Sequence, residues 1–371
     1  MSNHLRACFA HSGCEEREPV VGLQRQRIVI AVPVDEAVVD YLRSMKRDVE
    51  WCWEPDLLPT RRFVGDYAGD PGFSRTPSEQ RRFEALLDSA DVLFGIPDTS
   101  PAALRRTAVA NPALRWVHTM AAGGGAQLRA ADLPAARRET LVVTTSAGVH
   151  GSALAEFAVL GLLAGLKDLP RWTADKAARR WPERTPVRQL RDATVLVLGT
   201  GGIGARVAEL LASFGSEVWG AARRLTPASR PFSRMIAPEG LGAALASVDA
   251  LVCALPGTDA TTHLVDAGLL AQLRPGAVVV NVGRGTVIDE QALVAALDDG
   301  RVGFAALDVF EQEPLPQDSP LWTRERVLLS PHTAALDAGE ERRIAELFIE
   351  NLRRLRQGRA LINVVDPVEF Y

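Results

Sequence analysis

The sequence predicts an α/β protein with two parallel β-sheets in two domains, and three observations support this prediction. The chain has 371 residues, and at roughly 150 residues per domain such a length predicts two domains. Short β-branched runs alternate with helical patterns in two separate series, as is typical of parallel sheets. A glycine-rich turn opens the second series, between an apolar strand and an apolar helix face. The first series should therefore form a smaller domain and the second a larger one.

The first domain is predicted over residues 27–146. It follows an amino-terminal segment, residues 1–26, that has no sustained hydrophobic period. We expect this segment to be a flexible extension or, alternatively, to pack on a partner subunit. A helical pattern of the domain covers residues 77–89. Its predicted strands are short runs rich in apolar and β-branched residues: 27–33, 90–96, 116–118 and 141–144.

The second domain is predicted over residues 147–332 and includes a helix at 152–166 that is apolar on most faces. Such a helix is expected to be wedged between two domains, and residues 167–189 are expected to be a linker that crosses the surface. The apolar spacing at 339–356 predicts a helix that returns residues 333–371 to the first domain. Six strands of a doubly wound sheet are predicted: 194–198, 217–219, 250–253, 277–281, 303–308 and 327–330.

Composition and charge exclude several classes of protein. Lys and Arg total 42 against 46 for Asp and Glu, a formal net charge of −4, so the overall field does not favour nucleic acid or an anionic membrane. The four cysteines form no Cys-x-x-Cys pair, which argues against a disulfide scaffold and favours the cytoplasm. Residues 1–18 lack the apolar core of a signal peptide. The most apolar stretch, residues 140–166, contains His150 and Glu156 and is not predicted to span a membrane.

The glycine-rich turn has the spacing of a dinucleotide-binding loop. In this pattern the first glycine permits a tight turn, the second lets the backbone approach a pyrophosphate, and the third lets helix and strand pack closely. Helix amide groups then face the phosphates. The alternative is an ordinary glycine-rich turn, which the strand before and the helix after it disfavour. The residues expected to bind the cofactor here are Gly199, Gly201, Gly202, Ile203 and Gly204.

The end of the next strand favours NADP over NAD. A carboxylate about 20 residues after the last glycine usually binds the ribose hydroxyls of NAD, but here Ala222 is followed by Arg223 and Arg224. Two guanidinium groups can pair with a 2′-phosphate, and no carboxylate repels it. The alternative is that both arginines are solvated surface residues. The sequence therefore predicts NADP as the cofactor, with NAD possible.

Three segments at predicted strand ends carry reactive side chains, namely Arg284, Glu313 and His332. Because the carboxyl ends of parallel strands face the ligand crevice, we expect these side chains to converge there. Arginine offers a fork to a carboxylate, histidine exchanges a proton with an adjacent oxygen, and glutamate favours the charged imidazolium. The alternatives are a structural ion pair, a surface carboxylate and a structural histidine. The other five histidines have no metal-ligand spacing, so no metal is expected.

In these motifs the sequence resembles the D-isomer-specific 2-hydroxyacid dehydrogenase family. The resemblance covers roughly residues 114–332 and includes the glycine loop, Leu255-Pro256, the Asn281–Gly285 segment, Leu307-Asp-Val-Phe with Glu313-Pro314, and Ser330-Pro-His332. It implies a Rossmann-type doubly wound sheet inserted into a smaller, flavodoxin-like α/β substrate domain. The predicted first domain and the return segment would together form that substrate domain.

The resemblance also implies a role for each residue of the site. Arg284 would hold the carboxylate of a 2-oxo acid, His332 would be the acid/base, and Glu313 would keep His332 charged. Amide groups of a loop in the substrate domain, at Ala122 and Gly123, would also bind the substrate carboxylate. Further residues expected along the cofactor are Pro256, Val282 and Asp308.

The implied function is that of an oxidoreductase, which transfers a hydride between NADP(H) and a small 2-oxo acid or D-2-hydroxy acid of the glyoxylate or hydroxypyruvate type. The sequence departs from the family at two positions. Ala222 replaces the carboxylate that usually binds the ribose, and Gly125 replaces an acidic residue that is usual near the end of the Ala122–Gly123 loop. We also expect a homodimer, because family members commonly pair through the binding domain and the helix at 152–166 is too apolar to be left exposed. The alternative is a dinucleotide-sensing regulatory protein with little turnover, which would need only the cofactor site.

Overall fold

A computed structural model describes residues 26–46, 48–223 and 227–367. The predicted extension therefore falls almost wholly outside the described residues, and so does Arg224. The described chain forms two parallel sheets with helices packed against both, which confirms the predicted α/β fold class.

The smaller sheet has five parallel strands in the order β2-β1-β3-β4-β5. The strands are β1 (Arg27–Ile30), β2 (Glu50–Cys52), β3 (Val92–Phe94), β4 (Trp116–His118) and β5 (Val142–Thr144). The helices between them are α1 (Glu36–Met45), α2 (Pro77–Asp88), α3 (Pro101–Ala110), α4 (Gly125–Ala131) and α5 (Ala135–Thr140). No strand is predicted from the sequence at β2, because this short edge strand has no buried residue and so lacks a hydrophobic signal.

The larger sheet has seven parallel strands in the order β12-β11-β10-β9-β6-β7-β8. They are β6 (Thr194–Leu198), β7 (Glu217–Ala221), β8 (Arg234–Ile236), β9 (Ala250–Cys253), β10 (Ala277–Asn281), β11 (Val302–Leu307) and β12 (Val327–Leu329). Their helices are α8 (Gly202–Phe214), α9 (Leu241–Leu245), α10 (Ala267–Leu270) and α11 (Glu290–Asp298). The prediction of six strands is wrong by one, because the edge strand β8 is not predicted from the sequence. This strand begins with the polar residue Arg234, whose guanidinium lies 4.7 Å from the centre of the Trp219 ring.

The helix after β5, α6 (Gly151–Leu166), packs on the larger sheet rather than between two domains as predicted. It approaches closely because Gly161 and Gly165 face strands β10 and β11, where a Cβ on Gly161 would lie 2.4 Å from the Ala306 Cβ. Leu160 on the same helix is 51% exposed. The predicted linker also contains a further helix, α7 (Leu169–Ala177). No helix in the described part of the chain is long and apolar enough to cross a membrane.

The last helix, α12 (Glu340–Arg356), returns to the smaller sheet. Its apolar face buries Ile344, Phe348 and Leu352 against that sheet. The Phe348 ring stacks on Trp116 of β4 with the ring centres 4.5 Å apart. Removing so large a buried ring typically costs about 3–5 kcal/mol, so this contact is a strong attachment of the carboxyl-terminal segment to the first part of the chain.

His118, the last residue of β4, is fully buried at the start of the loop that follows this strand. Its Nδ1 lies 2.8 Å from the Thr144 hydroxyl oxygen and its Nε2 lies 3.2 Å from that of Ser146. The Ser146 hydroxyl in turn donates to the Thr119 carbonyl over 2.9 Å. Burial lowers the pKa of His118 to about 3. The ring is therefore neutral and links the ends of two neighbouring strands.

This burial predicts a loss of stability in mild acid. The unfolded chain protonates His118 near pH 6.5 but the folded chain does so only near pH 3, so the unfolding free energy falls as the pH drops below 6.5. Between pH 7 and pH 5 the protonation of this one group should lower the unfolding free energy by about 2 kcal/mol, since each pH unit contributes up to about 1.4 kcal/mol. Urea unfolding at both pH values measures the loss. His118→Gln should remove this part of it, whereas His263→Gln, at a half-exposed histidine, should retain it; the same loss in both variants would contradict the assignment.

Candidate active site

The glycine-rich turn joins β6 to α8 at the carboxyl edge of the larger sheet. Gly199 has φ +94°, a left-handed conformation that side chains disfavour. A Cβ on Gly204 would lie 1.8 Å from the Gly199 carbonyl oxygen, so only glycine allows this close approach. Gly201 precedes the helix, Gly202 and Ile203 begin it, and a Cβ on Gly201 would meet no atom within 4 Å. The amino end of α8 is therefore open to a ligand.

An apolar cavity of about 290 Å³ lies beside this turn. Its lining includes Ala222 and Arg223, which follow β7, and Pro256, which follows β9. Strands β6 and β9 are neighbours in the sheet, and from this point the chain order runs outward in both directions. In open α/β sheets, ligands bind in the crevice at such a switch point. Arg224 lies outside the described residues, whereas Ala222 and Arg223 are placed at the cavity.

His332 and Glu313 form a direct pair. The His332 Nδ1 lies 2.7 Å from the Glu313 Oε2, and the other carboxylate oxygen accepts the Phe310 N–H over 3.0 Å. The histidine side chain is 48% exposed and the glutamate side chain 36%. Nδ1 is therefore engaged by the carboxylate, and the Nε2 edge of the ring is the one left to exchange a proton with a ligand.

Asp308 anchors the segment that carries His332. Its carboxylate is buried, and one oxygen accepts hydrogen bonds from the Ser330 hydroxyl (2.7 Å) and from the N–H groups of Thr333 and Ala334 (both 3.0 Å). The His332 N–H also donates to the Asp308 carbonyl over 2.9 Å. From the sequence Asp308 is expected along the cofactor; in the structure one oxygen of its carboxylate binds backbone and hydroxyl groups on both sides of the histidine.

A second cavity, of about 280 Å³, is lined by segments of both sheets. We call it the interdomain cavity. Arg284, Ala122, Gly123 and Pro256 all line it. The Arg284 Nη1 donates to the Gly283 carbonyl over 2.7 Å. A Cβ on Gly123 would lie only 2.5 Å from the Arg284 Nη2, so the absence of a side chain there lets the guanidinium reach the loop from the smaller sheet.

The structure does not place Arg284 and the His332–Glu313 pair on one cavity. The pair lines a separate recess of about 540 Å³. The two segments nevertheless touch, because a Cβ on Gly285 would fall 1.8 Å from the Phe310 carbonyl carbon, and the Phe310 N–H binds Glu313. Val282 is buried, and its N–H is held by the Cys253 carbonyl. Any contact from Val282 to a cofactor would therefore be through the remaining backbone.

One part of the site is not predicted from the sequence. The interdomain cavity is also lined by Thr145 and Ala147 after β5 and by the carboxyl-terminal residues 363–365. No motif marks these residues, and their position follows only from the return of the chain along α12. Among the described residues no group of three or more His, Cys, Asp or Glu side chains is placed to hold a metal ion.

Known proteins resemble this chain over most of its length. Residues 159–334 match the family model described as D-isomer specific 2-hydroxyacid dehydrogenase, NAD binding domain. The glyoxylate/hydroxypyruvate reductase A of Salmonella paratyphi B is 34% identical over 328 residues, 87% of this chain and 88% of that protein. The glyoxylate reductase of Aeropyrum pernix is 36% identical over 273 residues, 69% of this chain and 77% of that protein.

A solved structure shows the same likeness. The D-isomer specific 2-hydroxyacid dehydrogenase from Xanthobacter autotrophicus Py2, in complex with NADPH and MES, is 30% identical, with a TM-score of 0.74, over 94% of this chain and 99% of that one. The resemblance found in the sequence motifs is thereby confirmed. The chain belongs to the D-isomer specific 2-hydroxyacid dehydrogenase family and is an oxidoreductase.

Proposed function

We propose that this protein is an NADPH-dependent reductase of small 2-oxo acids, of the glyoxylate or hydroxypyruvate type. The observation that carries the proposal is the His332–Glu313 pair, 2.7 Å apart, in which the segment of Glu313 also touches the segment of Arg284. A protein that only senses a dinucleotide would need the turn but not this pair. The names of the similar reductases support the same reaction class.

The residues present fit a phosphorylated dinucleotide. The apolar lining of the cavity beside β6 and β9 suits a flat adenine ring, and Arg223 lies at the same cavity, where a 2′-phosphate would need a cation. The open amino end of α8 suits a pyrophosphate. When bound, NADPH supplies the hydride that reduces the carbonyl carbon.

The protein's own groups then bind the substrate and move a proton. The Arg284 guanidinium and the amides at Ala122 and Gly123 bind the carboxylate of the 2-oxo acid, because they meet at one cavity. The charged His332 donates its Nε2 proton to the oxygen of the carbonyl group. Glu313 accepts from Nδ1, fixes the orientation of the ring and stabilises its positive charge. Arg284 and His332 line different cavities, and we infer that closure of the cleft brings them to one substrate.

The domain division supported by this arrangement is a substrate domain of residues 27–146 and 333–371 around a dinucleotide-binding domain of residues 147–332. The cytoplasm is the proposed compartment, since both described cysteines, Cys52 and Cys253, are free thiols.

The acid/base assignment predicts a large loss of turnover in one variant. The unmodified protein should oxidise NADPH when glyoxylate or hydroxypyruvate is added, as followed by the loss of NADPH absorbance. His332→Ala should lower kcat by about 10²- to 10⁴-fold because it removes the proton donor, while NADPH binding, measured by fluorescence titration, stays nearly unchanged. The control is His263→Ala, because His263 also lies 3.0 Å from a glutamate but lines none of the cavities described above.

Glu313→Gln tests the role of the carboxylate beside the His332 ring. The variant removes the negative charge that faces Nδ1, so the positive charge that the ring carries as proton donor is less stabilised and kcat for glyoxylate should fall. The KM for NADPH should stay nearly unchanged, because Glu313 does not line the cavity beside β6 and β9. Near-normal turnover in His332→Ala or in Glu313→Gln would mean that another group delivers the proton.

The cofactor assignment predicts a preference for NADPH over NADH. Arg223→Ala, alone or with Arg224→Ala, should raise the KM for NADPH far more than the KM for NADH, because only NADPH carries the 2′-phosphate. Arg191→Ala is the matched control, since its side chain is 76% exposed before the amino end of β6. Equal kinetic constants for the two cofactors in the unmodified protein would refute the assignment.

Exposed apolar side chains support a homodimer. Leu160 on α6 and Trp172 on α7 are about half exposed, and Trp181 after α7 is 99% exposed. Large side chains of this kind grouped along one stretch of chain favour burial against a partner. Light scattering at micromolar concentration should give twice the mass of the chain, and a monomeric mass would rule out the dimer.

A further inference from the structure

The interdomain cavity has a wall that comes from the far end of the chain. Asn363, Val364 and Val365 line it together with Thr145 and Ala147. The backbone of this carboxyl-terminal segment pairs with the end of β5: Thr144 and Val364 form an antiparallel bridge, and the Val365 N–H donates to the Val143 carbonyl over 2.8 Å.

Side-chain amides hold this segment in place on both sides. The Asn363 amide donates to the carbonyls of Ala147 (2.7 Å) and Thr145 (3.2 Å). On the other side the fully buried Asn351 of α12 accepts from the Ile362 N–H and donates to the carbonyl of the same residue. The wall is therefore fixed by the strand end and by the return helix.

The two valines of the wall differ in exposure. Val365 is 5% exposed and belongs to the core of the smaller sheet, whereas Val364 is 48% exposed. Most other side chains around the cavity are small, since Ala122, Ala126 and Ala147 contribute one methyl group each. Val364 is thus the bulky hydrocarbon side chain of the wall that a ligand can reach.

The charge of the cavity limits which acids fit it. Among the described residues that line it, Arg284 carries the only charge. In the proposed function this cation binds the carboxylate next to the carbonyl, so no second cation remains for a carboxylate or phosphate on the substrate side chain. A second buried anion without a partner would be costly.

We propose that Val364 is a specificity-determining residue that limits the length of the substrate side chain, and that the cavity accepts 2-oxo monocarboxylic acids with short, uncharged side chains. This inference rests on the proposed function. The substrate side chain contacts the Val364 methyl groups while its carboxylate binds Arg284. A longer substrate side chain collides with the wall, and a charged substrate side chain loses its hydration without gaining a charged partner.

A series of 2-oxo acids tests this with three variants. The probes are glyoxylate, 2-oxobutyrate, 2-oxohexanoate and the dicarboxylate 2-oxoglutarate, each with NADPH. Val364→Ala should raise the ratio of kcat/KM for 2-oxohexanoate to that for glyoxylate by about tenfold, and Val364→Phe should lower it by about tenfold, as expected for a few methyl groups in an apolar pocket. Val364→Arg should raise the ratio of 2-oxoglutarate to 2-oxobutyrate. Val109→Ala, at an exposed valine of α3, is the matched control and should change no ratio.

The outcomes separate this inference from the proposed function. If glyoxylate is reduced but both ratios stay within about twofold in every Val364 variant, the wall does not set specificity and only the inference is wrong. If Val109→Ala moves the ratios as far as Val364→Ala, the effect is not local and the inference is equally wrong. If the unmodified protein reduces neither these four acids nor hydroxypyruvate, the proposed function fails and the inference fails with it.

Discussion

The parallel arrangement of the larger sheet is the constraint on which the site depends. All seven strands run in one direction, so their carboxyl ends lie along one edge. The glycine-rich turn follows β6, Arg223 follows β7, Arg284 follows β10, and the Glu313 and His332 segments follow β11 and β12. Residues far apart in sequence therefore meet at one edge without any long loop having to position them.

That edge becomes a site only because neighbouring segments hold one another. Asp308 and Glu313 lie on the segment after β11, and each binds the segment after β12, the first through backbone groups and the second through the His332 ring. Phe310 in the same segment packs against Gly285 and donates to Glu313. Breaking the hydrogen bonds of a buried carboxylate is costly, so such a carboxylate holds its partners rigidly. One oxygen of Asp308 accordingly positions the histidine segment, and its predicted place along the cofactor stays a prediction.

Those features of the fold and the site that depend only on residues adjacent in sequence could be predicted from local sequence patterns. The glycine turn, the strand runs of the larger sheet and the Arg284, Glu313 and His332 segments each carry their signal within a few residues. The short edge strands β2 and β8 could not be predicted, because they have little or no buried side to give a period. Val364 could not be predicted either, because its place beside Arg284 depends on α12, and that packing depends on contacts such as Phe348 with Trp116 from a distant part of the chain.

The chain passes between the sheets twice, and the two passages meet at one buried contact. His150 immediately precedes α6 and Glu340 opens α12; the His150 Nε2 and the Tyr67 hydroxyl each lie 3.2 Å from the same Glu340 oxygen. Glu340 is 2% exposed. The burial of Tyr67, together with the negative charge of Glu340, raises the pKa of the Tyr67 phenol, so the phenol remains a hydrogen-bond donor. A buried carboxylate is costly unless it is paired. This contact therefore ties together both passages between the sheet that carries the Gly123 loop and the sheet that carries Arg284.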